Sequence, residues 1–254
     1  MKLAEFLDAM SCMSLRFVAL ALNKPSELRP YVGQCLRLYD ELAGVGLPEA
    51  GPVVPPLNDT ITLPATHTGG GMSFQELAII ARVTKTLRPR AIFEIGSYNG
   101  LTTAVFMLNA PPDARIYSLD LPPQIAAKDS YIETDKDLVS SRALGSIPRT
   151  LGLTRYTQLL CDSMQFDPTP YAGIIDLGFV DAAHDVEHAR NDTIKMFEMM
   201  SSEGMIFWHD YGGKGILRPL AKYLESIGRR CAVYRIRGTS LAWASAKDLK
   251  KSFL

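Results

Sequence analysis

The side chains best suited to chemistry lie in three groups along this 254-residue chain. Residues 94–100 read Glu-Ile-Gly-Ser-Tyr-Asn-Gly, and Asp120 and Asp162-Ser163 each close a β-rich run further on. Residues 181–188 read Asp-Ala-Ala-His-Asp-Val-Glu-His, and residues 208–211 read Trp-His-Asp-Tyr. Gly96 and Gly100 let the backbone turn tightly and approach a ligand, and the helix that follows offers free N–H groups. Asp120, 24 residues after Gly96, is spaced to accept both hydroxyls of a ribose, and Asp162-Ser163 to meet an adenine amino group. The glycines taken alone also fit ordinary turns, and the acids ordinary helix caps. The combination, each member at a strand end, points instead to a nucleoside site.

His184-Asp185-Val186-Glu187-His188 spells H-x-x-E-H, the inverted zinc-peptidase signature. That chemistry needs two imidazoles on one helical face, with a third ligand nearby. A strand ending at Asp181 leaves His184 in the turn beyond it, and His188 a turn deeper along a helix, aimed away from the cleft. His188 reads as a surface residue, with Asp192 on the same solvated face, so zinc hydrolysis is set aside. Tyr211-Gly-Gly-Lys-Gly-Ile216 is no phosphate loop, and no G-x-S-x-G elbow occurs. Trp208, Trp243, Tyr98 and Tyr211 fit an aromatic acceptor wall, but the two tryptophans fit packing on strands equally well.

The elements that must position these residues follow from periodicity. Residues 73–87 read as a helix, 91–96 as a buried strand, 101–109 as a helix and 115–120 as a strand. An irregular insertion covers 121–155. Strands then fall at 156–162, 174–181 and 204–210, with helices at 186–200 and 216–227, and the chain closes with strands at 231–236 and 240–245. Apolar runs alternating with helices predict an α/β fold, a mostly parallel sheet covered on both faces. A short Arg237-Gly238-Thr239 turn predicts an antiparallel hairpin at one edge. In such sheets ligands bind beyond the carboxyl ends of the strands, where the acidic residues lie.

Residues 1–72 precede this pattern as a helical extension and linker. Helices are expected at 2–22 and 27–43, divided by Pro25, with Ser26 as an N-cap. The 44–72 linker carries Pro48, Pro52, Pro55, Pro56 and Pro64, and ends in a hinge at Gly69-Gly70-Gly71. The domains expected are therefore 1–72 and 73–254. Glu5, Asp8 and Arg16 interrupt the first segment, so it reads as an amphipathic helix rather than a signal peptide. Its apolar face offers contacts for a homodimer or higher homo-oligomer. Twenty-seven basic and 27 acidic residues give zero formal charge. That balance argues against nucleic acid and membrane partners. Cys12, Cys35, Cys161 and Cys231 form no C-x-x-C pair, which suits reduced thiols in a cytoplasm.

Together "FEIGSYNGLTTAVF", "YSLDLPP", "LLCDS", "IIDLGFVDAAHDVEHARNDT", "SSEGMIFWHDY" and "RGTSLAW" resemble the class I S-adenosylmethionine-dependent methyltransferases, on the branch called methyltransferase family 24. The resemblance spans about residues 73–245. It implies a Rossmann-like seven-stranded sheet of order 3-2-1-4-5-7-6. It implies S-adenosyl-L-methionine as cofactor, bound by Glu94, Gly96, Ser97, Tyr98, Asn99, Gly100, Asp120, Leu121, Asp162, Ser163 and Asp181, with Glu94 and Gly96 at its methionine part, Asp120 at the ribose, Asp162 at the adenine, and Asp181 at the strand end that faces the methyl. It extends to metal-dependent catechol-type and sugar O-methyltransferases. Those imply a divalent ion (Mg, Mn, Fe or Zn) on Asp181, His209 and Asp210, and a base at His184. His209 departs from the oxygen ligand usual at its position, which leaves it open as ligand, supporting residue or base. Imidazole suits Mn, Fe or Zn better than Mg.

The expectation is O-methylation of a small-molecule acceptor such as a sugar, a catechol or a natural product. The competing classes are an NAD(P)-dependent oxidoreductase and a non-catalytic S-adenosylmethionine-binding protein. Tyr98 stands where a dinucleotide loop needs glycine, which weighs against the first.

Overall fold

The computed structural model describes residues 46–65, 71–122, 143–183, 185–212 and 218–253. The helices expected at 2–22 and 27–43, the hinge residues Gly69-Gly70, most of the 121–155 insertion and His184 lie outside the described residues.

Seven strands form one sheet: β1 (Ala91–Ile95), β2 (Arg115–Asp120), β3 (Thr157–Leu160), β4 (Ile175–Val180), β5 (Met200–Trp208), β6 (Tyr234–Arg235) and β7 (Ala242–Ser245). Their order is β3-β2-β1-β4-β5-β7-β6, as the resemblance implies. The five-strand run from β3 to β5 is parallel, and β7 pairs antiparallel with both β5 and β6. The hairpin reverses at Gly238, whose φ of 71° is open to glycine at little cost.

Alternation along the strands divides the core into two layers. Ile92, Leu177, Phe179 and Phe207 face α1 (Phe74–Leu87) and α2 (Leu101–Asn109). Phe93, Ile95, Ile206 and Trp208 face α4 (Val186–Met199) and α5 (Arg218–Gly228). Burial on both faces explains why these strands read as continuous apolar runs. α1 begins with a full capping box. Ser73 accepts from the Glu76 N–H, and the Glu76 carboxylate accepts from the Ser73 N–H.

The sequence reading lacks two α-helices. α3 (Ser146–Thr150) is a short helix inside the expected irregular insertion, and α6 (Ala246–Phe253) follows β7 directly. Within the linker, residues 48–50 run along the β6–β7 edge of the sheet, and Thr62 further on pairs with Asn109 of α2. Arg235 N–H donates to Pro48 O at 2.9 Å, Ala50 N–H donates to Arg235 O at 3.1 Å, and the Trp243 indole donates to Ala50 O at 2.8 Å. Leu47 enters the core.

One expectation is corrected. Asp192 is not on a solvated face: it is fully buried, on the stripe of α4 that carries Ala189, Met196 and Met199. Burial raises its pKa, opposed by the side chains of Ser163 and Asn191. Its Oδ1 accepts from the Asn191 amide at 2.9 Å, and its Oδ2 has no partner among the described residues.

Candidate active site

The site is built where β1, β2, β4 and β5 end. Gly96 leaves β1 at a φ of 92°, and its N–H donates to Leu119 O at 2.8 Å. A Cβ placed there would sit 2.0 Å from the carbonyl oxygen of Asp181, so only glycine lets the β1 and β4 ends touch. Tyr98, at a φ of 48°, takes the left-handed conformation without being glycine. Such backbone costs on the order of 1 kcal/mol or more and persists where the surroundings enforce it.

Asp120 does the enforcing. Its Oδ2 accepts from the N–H groups of Ser97 (3.1 Å) and Tyr98 (2.8 Å) and from the Ser97 hydroxyl (3.1 Å). Its Oδ1 accepts from Leu121 N–H at 2.7 Å. The carboxylate expected at a ribose is thus first the clamp of the 96–100 loop. Asn99 and Gly100 complete the turn into α2: the Asn99 side-chain oxygen accepts from Leu101 N–H at 3.2 Å, and Gly100 is the N-cap. At the β3 end Asp162 accepts from Met164 N–H at 2.9 Å. The Ser163 carbonyl accepts from Asn191 (3.0 Å) and Lys195 (2.6 Å).

Glu94 is completely buried. Its Oε2 accepts from the hydroxyls of Thr103 and Ser118, and its Oε1 has no hydrogen-bond partner among the described residues. Burial pushes its carboxyl up to about 8. The two hydroxyls oppose the shift, and the charges of Asp181 and Asp120 add to it. The folded-state value lies above the unfolded one. Its contribution to stability is therefore complete below the unfolded pKa near 4.5 and is lost as pH rises through about 8. Urea unfolding at about pH 5 and about pH 8.5 should show Glu94→Gln relieving a pH-dependent loss of at most on the order of 5 kcal/mol. Equal pH slopes in the two proteins would contradict the assignment.

At the neighbouring ends, Asp181 N–H donates to Ile95 O at 2.8 Å and His209 N–H to Val180 O at 3.0 Å. This register brings His209 Nδ1 to 3.1 Å from Asp181 Oδ1 and 3.5 Å from Asp210 Oδ1. One ligand atom from each of the three lies within 4.8 Å of the others, the one such set of three among the described residues. Asp210 has a left-handed φ of 61°, the second strained non-glycine residue at the site after Tyr98. On the other side of the ring, His209 Nε2 is 3.1 Å from Ser240 Oγ and 3.6 Å from Glu76 Oε2. Burial works against charge on His209, but the facing carboxylates Asp181 and Asp210 outweigh it and hold the pKa well above the usual imidazole range. For Glu76, burial opposes ionisation, while His209 and Ser240 hold the carboxyl far below the usual range.

The sequence pattern of the family described as a methyltransferase domain, methyltransferase family 24, matches residues 93–211, from within β1 to just past β5. Residues 93–211 match a methyltransferase domain.

The methyltransferase domain has the fold of several solved structures. Cofactor-bound Rv0187 from MTB is 18% identical, with a TM-score of 0.54 over 73% of this chain and 84% of that one. The SAH-bound Podospora anserina methyltransferase PaMTH1 is 16% identical, with a TM-score of 0.51 over 67% and 77%. A putative caffeoyl-CoA O-methyltransferase from Staphylococcus aureus is 12% identical, with a TM-score of 0.50 over 84% and 90%. No curated protein matches the sequence. No described helix is long and apolar enough to cross a membrane.

Of the residues expected at the methyltransferase site, the structure brings Gly96, Ser97, Tyr98, Asp120 and Leu121 into one hydrogen-bonded unit, and Asp181, His209 and Asp210 into another, joined where Gly96 touches Asp181. His188 is not part of either. Its Nδ1 lies 2.7 Å from Oδ2 of Asp185, the N-cap of α4. One of the two histidines of the H-x-x-E-H signature is thereby accounted for as helix capping. Trp208 and Trp243 are buried in packing, with their indole N–H groups on Thr193 and Ala50. Glu76 and Ser240 are the site residues that the sequence reading lacked. Ser73-x-x-Glu76 was visible as a capping box, and Ser240 lies within "RGTSLAW".

Proposed function

We propose that this methyltransferase transfers a methyl group from S-adenosylmethionine to a hydroxyl of a small molecule, with a divalent ion held by Asp181, His209 and Asp210. The convergence of those three side chains beside the Gly96 loop carries the reading. The cofactor suits the residues present. Asp120 and Asp181 gather negative charge, and the buried Oε1 of Glu94 beside them has no partner among the described residues, which matches a ligand bearing a sulfonium and an ammonium. SAH in the Podospora structure agrees with this choice. The donor set suits an ion as well. Two carboxylates and an imidazole backed by a carboxylate form a usual ligand arrangement, with the nitrogen favouring Mn²⁺, Fe²⁺ or Zn²⁺ over Mg²⁺.

S-adenosylmethionine supplies an activated methyl group, and an ion at this site would lower the pKa of an acceptor hydroxyl. The chain's own residues do the rest. Asp120 fixes the loop that is to carry the methionine part, and Glu94 offers Oε1 toward positive charge. Asp162 is assigned to the adenine. Asp181 and Asp210 orient the acceptor oxygen for in-line attack, and alignment of this kind removes a large share of the barrier. With Nδ1 turned to the ion's side of the site and Nε2 against Ser240, His209 has no nitrogen left to take a proton. The base is therefore assigned to His184, three residues past Asp181 in the sequence. Acceptor selection is assigned to the extension 1–72 and the insertion 121–155, because loops above strand ends roof such pockets.

The test is SAH release with a panel of catechol, sugar and glycoside acceptors. At least one should turn over. Activity should fall about 100-fold or more after chelator dialysis and return with Mn²⁺. Full activity after stripping removes the ion from the reading, and no turnover with S-adenosylmethionine bound removes the reaction.

A further inference from the structure

The strand-end cluster has a second layer that the family match does not reach. Glu76 lies on the first turn of α1, before the matched residues 93–211, and Ser240 lies after them, in the β6–β7 turn. Glu76 is buried, and its two oxygens are occupied in a specific way. Oε2 accepts from the Ser73 N–H at 2.7 Å and the Ser73 hydroxyl at 2.8 Å. Oε1 accepts from the Ser240 N–H at 2.6 Å and the Ser240 hydroxyl at 2.7 Å.

The proton count that follows is restrictive. The Ser240 hydroxyl has one hydrogen, and it points at Glu76 Oε1. At the 3.1 Å contact with His209 Nε2, the Ser240 oxygen can therefore only accept. Nε2 must carry the hydrogen, and Glu76 Oε2, 3.6 Å away, adds negative charge on the same side. Nδ1 is then the nitrogen turned to Asp181 and Asp210. A helix N-terminus, a β-turn and a strand end thus meet on one imidazole.

We infer that Glu76 is a positioning residue that acts through Ser240 to hold the Nε2 hydrogen and the ring orientation of His209, so that Nδ1 is presented to the Asp181–Asp210 pair. The arrangement is a carboxylate–hydroxyl–imidazole relay. Outer partners of ligating histidines raise ligand basicity and hold the ring in place. The consequence for an ion rests on the proposed function, whereas the ring geometry does not.

Two measurements separate them. The first is the imidazole N–H spectrum of the full chain. The His209 Nε2–H, assigned by its loss in His209→Asn, should be protected from solvent exchange in the wild type. It should lose that protection in Ser240→Ala, where the accepting oxygen is gone, and exchange at least about tenfold faster in Glu76→Gln. Glutamine preserves the capping box, and alanine at 240 leaves Glu76 in place, so at least one variant reports on a folded protein. Protection unchanged in both overturns the inference, as does a wild-type ring protonated only at Nδ1.

The second measurement is Mn²⁺ titration of the chelator-stripped protein. Affinity should drop roughly 10- to 100-fold in Glu76→Gln, with S-adenosylmethionine affinity within about twofold of wild type. Wild-type Mn²⁺ affinity in Glu76→Gln overturns the positioning role. A wild type that binds no Mn²⁺ removes the ion from the proposed function, and the exchange result then decides the inference by itself.

Discussion

Gly96→Ala should cost about 4 kcal/mol or more of stability, at the far end of single substitutions. Two causes add. At a φ of 92° an L side chain is strained whatever the space around it. The added methyl would also lie 2.0 Å from Asp181 O, 2.5 Å from Asp181 C and 2.9 Å from Ala182 Cα, all backbone atoms. Backbone cannot rotate aside as a side chain can, so the β4 end must withdraw from β1. That withdrawal breaks the 2.8 Å bond from Asp181 N–H to Ile95 O and separates the two halves of the site. Gly173→Ala is the control: its φ is 70° and nothing lies within 4 Å, so strain alone remains, about 1–2 kcal/mol. Urea unfolding of the two variants isolates the collision. Equal losses would show that β1 and β4 do not meet as described.

Asp181→Asn should lower methyl transfer roughly 10³-fold while leaving the fold intact. The amide keeps the shape of the carboxylate and an oxygen for His209 Nδ1, and the side chain is only partly buried. What disappears is the charge that faces Nδ1 and would bind an ion or orient a hydroxyl. The loss should fall on kcat, with S-adenosylmethionine affinity within about threefold of wild type, because Asp120 and the 96–100 loop are untouched. Calorimetry and initial rates on one preparation distinguish the two. A variant that still turns over at a tenth of the wild-type rate or better would move the chemistry away from the β4 end.

Much of this arrangement can be read in the residue order because local grammar and global fold agree. The apolar runs of β1, β4 and β5 announce strands buried on both sides, and Arg237-Gly238-Thr239 announces the hairpin. The acids at 120, 162 and 181 stand where a parallel sheet presents its ligands. What escaped depends on distance or on partners. Glu76 meets Ser240 across 164 residues, and a capping box states where a helix starts, not what the same carboxylate touches beyond it. Asp192 shows a conflict of signals. Its spacing from Ala189 and Met196 directs it inward and its charge argues outward. The contact it finds, the Asn191 amide, carries no pattern in the chain. α3 was obscured by Pro148 and by the glycines flanking it at 145 and 152.

The strap along β6 bears on how the molecule behaves in a crowded solution. β6 is two residues long, and its Arg235 amide and carbonyl are both engaged by Pro48 and Ala50. Beyond them Pro52, Pro55 and Pro56 have no N–H to offer a neighbouring chain. A sheet that ends in this way gives another polypeptide no template on that side, so the Pro-rich run acts as a guard against edge-to-edge aggregation.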